Sequence, residues 1–104
     1  MRRYMEMIFI DAEGNARKTG VGAEFESDRA TTEAFESVRA SASDIKTAPF
    51  LLDLHEDNGD LIDTIPISAE TFAAVTGEPV LSDAEYIAVD EQYWADVSAE
   101  LSAA

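Results

Sequence analysis

The chain twice lays down the same succession: an alternating apolar segment, a polar turn, a second extended segment and a helix cap. That doubled order constrains the fold more than any other feature. Tyr4 to Ile10 places Met5, Met7 and Phe9 on one side and Glu6 on the other, the period of a strand with one buried face. Asp11-Ala12-Glu13-Gly14-Asn15 is turn chemistry, and Val21, Ala23 and Phe25 then alternate against Gly22, Glu24 and Glu26 as a second strand. Ser27 or Asp28 caps a helix expected to run to about Ser43, with Phe35, Val38 and Ala42 on one stripe continued by Ile45. Pro49 closes this first unit.

The second unit opens with a strand over Phe50 to Leu54. Asn58-Gly59 is a strong hairpin signal, and Leu61 to Ile67 forms the fourth strand. Asp63 falls on the same side as Leu61 and Ile65, which calls for a bulge, a longer loop or a paired carboxylate. Ser68 caps a short helix containing Phe72 and Val75, stopped by Gly77 with Pro79 beyond. Ser82-Asp83-Ala84-Glu85 is a capping box, with Leu81 and Tyr86 at the two staple positions. The helix it starts has Asp90 inside its apolar stripe. The pattern predicts a break there, with Asp90 capping a final helix that turns Tyr93, Trp94, Val97 and Leu101 toward the core and Trp94 as its anchor.

The expected fold is therefore α+β in two layers: an antiparallel four-stranded sheet with two to three helices on one face, in the order β-β-α-β-β-α-α. Its 104 residues suit a single domain over 1–104. A 46% hydrophobic content argues for a folded chain. The absence of cysteine removes disulfides and thiolate chemistry, and fits a cytoplasmic protein of a bacterial or archaeal host. Met1-Arg2-Arg3 resembles the start of a signal peptide, but the apolar run that follows is short, contains Glu6 and lacks a cleavage site. No window reaches the roughly 18 apolar residues of a membrane span, so no membrane partner is expected.

Charge is distributed unevenly. All seven basic residues precede Thr47, while Thr47 to Ala104 holds thirteen acids, and the formal net charge is −15. A field of one sign follows, and with it a basic partner. Direct nucleic-acid binding is excluded by repulsion. Arg2, Arg3, Arg17 and Lys18 are expected to serve as counterions for Glu6, Glu13, Glu24 and Glu26.

Candidate chemistry fails position by position. Counting a calcium loop from Gly59 puts Leu54 at its first ligand position and Ile65 at its last, so Asp53 to Asp63 is better read as an acidic hairpin. The single histidine, His55, lacks the companions of a zinc site or a triad, and reads as a strand surface residue beside Asp53 and Asp57. Nothing singles out a catalytic pair among 22 carboxylates. Gly20-Val21-Gly22 lacks the third glycine of a phosphate loop and reads as a bulge or a close backbone approach. No enzyme activity, metal or cofactor is expected.

A cysteine-free chain of this length, without a catalytic signature and with its acids gathered from Asp53 to Glu100, resembles the small phage-encoded inhibitors: anti-CRISPR proteins and anti-restriction DNA mimics. The resemblance implies a non-enzymatic inhibitor, a monomer or homodimer, whose acidic surface mimics nucleic acid. It would block the basic groove of a CRISPR effector or another nucleic-acid-processing enzyme. The carboxylates it assigns to the partner are Asp53, Glu56, Asp57 and Asp60 in the hairpin region and Asp83, Glu85, Glu91, Asp96 and Glu100 near the C-terminus. Two other readings share this composition: an immunity protein or antitoxin that neutralises a basic toxin, and a halophile-adapted acidic domain.

Overall fold

The computed structural model describes residues 2–41 and 48–103; Ala42, Ile45 and Lys46 lie outside the described residues. Strand β1 (Tyr4–Ile10) folds back on β2 (Ala16–Ala23), and β3 (Phe50–His55) on β4 (Leu61–Ile67). The hairpins join through β1 and β3 into one antiparallel sheet of order β2-β1-β3-β4. Helix α1 (Asp28–Ser41) follows the first hairpin, and α2 (Ala69–Thr76) and α3 (Asp83–Ala103) follow the second. The result is the expected α+β fold in the expected order.

Both hairpins use one loop device, a turn closed by a left-handed glycine. The Gly14 amide donates to Asp11 O at 2.9 Å with φ 84, and the Gly59 amide donates to Glu56 O at 2.9 Å with φ 95. The second loop is thus a residue longer than the minimal hairpin. A bulge follows it: Leu54 faces Asp63 while His55 faces Leu61, leaving Ile62 extra. The bulge moves Leu61 to the other face, while Asp63 stays on the helical side with Ile65, where Arg39 of α1 pairs with it. Bulge, longer loop and paired carboxylate all occur together. Further along β4, Pro66 stands opposite Leu51.

Strand β2 departs from expectation. It begins at Ala16 and ends at Ala23, so Phe25 lies beyond it and is exposed. Met5 faces Ala23 and β1 begins at Tyr4, so Phe25 has no strand partner. The pairing is also irregular, since Glu6 faces Gly22 but Ile8 faces Lys18, leaving Thr19, Gly20 and Val21 opposite Met7. Gly20 absorbs the turn with φ 76. The Thr19 hydroxyl donates to Met7 O at 2.8 Å and accepts the Val21 amide at 3.1 Å. At Gly22 the backbones close in, and a Cβ there would stand 2.7 Å from Met5 O. The glycine pair thus provides the bulge and the close approach.

The core lies between sheet and helices. Met5, Met7, Phe9, Phe50, Leu52, Leu54, Ile65 and Ile67 meet Phe35 and Val38 of α1, Phe72 of α2 and Tyr86 of α3. Four rings form its centre: Phe50 stacks on Phe72 at 4.2 Å and Phe9 on Tyr86 at 4.9 Å, with Tyr86 edge-on to Phe50 at 5.5 Å. The helices start where their caps predict. Ser27 Oγ accepts the Ala30 amide at 3.1 Å, and Ser68 Oγ accepts the Thr71 amide at 3.1 Å. Gly77 closes α2 with φ 69, its amide on Ala73 O at 3.0 Å. In the Ser82–Glu85 box each backbone amide meets the other side chain at 3.3 Å.

The third helix corrects two expectations. It runs unbroken from Asp83 to Ala103, so Asp90 caps nothing and lies mid-helix, 4% exposed. Its carboxylate is satisfied from outside the helix, by the Lys18 amide at 2.9 Å and Arg17 Nη1 at 3.1 Å. A polar residue answered this way does not require a break. Asp90 marks the point where α3, packed on β2, passes the sheet edge. The following residues find no core. Trp94 is 52% exposed, Tyr93 42% and Leu101 75%, and Val97 is partly buried. Trp94 is therefore a surface residue, not a core anchor, because the helix outlasts the sheet that it packs against.

Candidate functional site

The ion pairs show which charges are used internally. Among the described residues every Lys and Arg has a carboxylate partner. Lys18 Nζ meets Glu6 at 3.0 Å and Arg2 approaches Glu24 at 3.7 Å, as expected. Arg3 and Arg17 do not go to Glu13 and Glu26: Arg3 reaches Glu56 at 3.2 Å, and Arg17 bridges Asp11 at 3.0 Å and Asp90 at 3.1 Å. Arg29 and Arg39 pair with Glu33 and Glu36 along α1. The described cations thus all have intramolecular partners, those of Arg2 and Arg29 at the exposed surface, and the remaining carboxylates carry the surface field.

The carboxylates that the sequence assigns to a partner fall into two groups, because the sheet order puts the β3–β4 hairpin and α3 on opposite sides of β1. In the hairpin region only Asp57 and Asp60 stand exposed at the tip. Glu56 is held by Arg3, and Asp53 accepts the Thr64 hydroxyl at 2.6 Å on the sheet face away from the core. On α3, Asp83, Glu85, Glu91, Asp96 and Glu100 are all exposed, and the helix contains no Lys or Arg. Glu85 belongs to the capping box, and Asp96 accepts Gln92 Nε2 at 2.8 Å. Contiguity in sequence does not become one continuous surface; α3 carries the larger group.

His55 stacks on Tyr4 at 5.0 Å, with Nδ1 3.1 Å from Gly59 O and Nε2 3.9 Å from Asp53. The Thr64 hydroxyl bonds to Asp53 and not to the imidazole, so the group fastens the hairpin without forming a nucleophile–base pair. Among the described residues no group of three or more His, Asp or Glu is placed to hold a metal ion, and no helix is long and apolar enough to cross a membrane.

The stretch of α3 around Asp90, the foot of its projecting half, is electrostatically tight. Burial pushes the Asp90 carboxyl up, but the Lys18 amide, the Arg17 guanidinium and the Trp94 indole outweigh it and hold the group below its ordinary value. Asp11 is also lowered, chiefly by the Asn15 amide, with Arg17 adding to it against burial. Lys18 is raised: burial works against its charge, and Glu6 overcomes that. Above this foot Trp94 Nε1 donates to Asp90 at 3.1 Å, the Trp94 and Tyr93 rings meet edge to face at 4.9 Å, and Lys18 Nζ lies 4.8 Å from the Tyr93 ring centre. Sequence reasoning missed this assembly, since Arg17 and Asp90 are 73 residues apart. No family model, curated protein or solved structure matches the chain.

Proposed function

We propose that this chain is a non-enzymatic inhibitory binding protein. It sets the carboxylates of α3 against a basic groove of a nucleic-acid-processing enzyme, with a CRISPR effector as the leading target. One observation carries the reading: five carboxylates stand exposed on a helix without a single Lys or Arg, and every described cation pairs with a carboxylate other than these five. Asp83 to Glu100 spans about 26 Å at the helical rise, one exposed charge per roughly 5 Å. Duplex DNA carries one per about 1.7 Å, so α3 offers the field of a short, sparse backbone segment. Binding of this type is fast and salt-sensitive.

The test is a panel of purified CRISPR effectors and restriction enzymes, with binding measured at low and high potassium chloride and with duplex DNA as competitor. At least one member should bind, lose affinity steeply with salt and release the protein to DNA. Charge reversal of Glu91, Asp96 and Glu100 together to lysine should slow association with little change in melting temperature. Binding that ignores both salt and these substitutions overturns the reading.

A further inference from the structure

We propose that the projecting half of α3 is a docking surface for a partner whose contact face is an apolar groove bordered by Arg or Lys side chains. The inference rests on the acidic-surface reading for the sign of the partner and adds an apolar component to it. Tyr93, Trp94, Val97 and Leu101 share one face of α3, a stripe about 100° wide at 3.6 residues per turn. Three of the four are exposed by two-fifths or more, and Leu101 by three-quarters. A patch of large apolar side chains rimmed by polar ones marks an interaction surface. Trp94 is also held in place, by its bond to Asp90 and its edge contact with Tyr93. An anchored tryptophan loses little freedom on binding, which is the property of an interface hot spot.

The borders specify the occupant. Glu91 flanks the Trp94 side of the stripe, and Asp96 and Glu100 flank the Tyr93 side, by the same helical spacing. The last turn holds no basic residue, so Glu100 and the negative end of the helix dipole repel one another. A cationic rim would relieve that repulsion on docking. A second copy of this chain would bring carboxylate against carboxylate, each molecule carrying −15. A nucleic acid is repelled for the same reason and offers no matching groove.

The experiment titrates the protein with two cationic peptides at low salt, one a Leu/Lys amphipathic helix and one a Lys/Ser sequence of equal charge, and follows the single tryptophan's fluorescence. The Leu/Lys peptide should bind about tenfold more tightly and shift Trp94 emission to the blue. Leu101→Ser, which keeps the reporter, should lose most of that preference while melting like the parent. Trp94→Ala, followed by calorimetry, should do the same, and Val75→Ser on α2 should keep the preference. Equal affinity for the two peptides overturns this inference alone. Failure of both peptides to bind overturns the acidic-surface reading with it. A dimer in sedimentation, with Trp94 emission already blue-shifted before any peptide is added, assigns the stripe to a second copy and also overturns it.

Discussion

Replacing Asp90 with alanine tests how α3 is attached to the sheet. The change removes one acceptor from three donors: the Lys18 amide at 2.9 Å, and Arg17 Nη1 and Trp94 Nε1 at 3.1 Å each. Breaking a buried ion pair from one side costs about 3–5 kcal/mol, most of it for the charge left behind. Here Arg17 keeps Asp11 at 3.0 Å and its side chain is 24% exposed, so its charge is not stranded. The indole, on a half-exposed ring, can turn to water. The Lys18 amide, partly buried on β2, loses its acceptor, and a buried donor left unsatisfied costs about 1–3 kcal/mol. Alanine recovers about 0.5 kcal/mol as the better helix former. The net loss should be about 0.5–2.5 kcal/mol, or about 2–20 °C in Tm for a domain of this size. Asp90→Asn retains an acceptor oxygen and should lose about half as much. Thermal melting by circular dichroism, checked by urea unfolding, measures both. Should Asp90→Ala melt with the parent or above it, helix propensity governs the site and the attachment described here is wrong.

Two further outcomes follow from the structure. Gly22→Ala brings a Cβ to 2.7 Å from Met5 O, so the β1–β2 backbones must part, and urea unfolding should show a loss of about 1–3 kcal/mol. Asp11 and Asp90 are both depressed in the folded state, so their stabilisation is complete above the unfolded carboxylate range and is lost as pH falls through the folded values. Between about pH 5 and 3 the parent should therefore lose more Tm than Asp90→Asn does, and parallel curves for the two would refute the linkage.

What was legible in the sequence was local. The left-handed glycines at 14, 59 and 77 and the caps at Ser27, Ser68 and Ser82 act within a few residues of themselves, so the order of elements follows from them. Periodicity was legible but incomplete. It groups Tyr93, Trp94, Val97 and Leu101 on one face and says nothing about whether a sheet covers that face. Asp90 looked like a helix break because its answering groups, Arg17 and the Lys18 amide, sit on a strand from the other end of the chain. The end of β2 is hidden for a related reason: alternation runs on through Phe25 and does not show that the partner strand begins at Tyr4. For the candidate site, the count of acids was readable, but their division between hairpin tip and α3 depends on sheet order.

The two edges of the sheet limit the ways in which anything can bind it. At one edge α3 lies against β2, and Asp90 takes the Lys18 amide. At the other, β4 is bent by the Ile62 bulge and lacks an N–H at Pro66. Neither margin presents an unbroken ladder, which disfavours extension of the sheet by a strand from a partner. Backbone pairing is tolerant of sequence, because every residue brings the same amide. Without it, discrimination must come from side-chain shape and charge. On the binding reading proposed above, a change of partner would then lie within reach of a few surface substitutions.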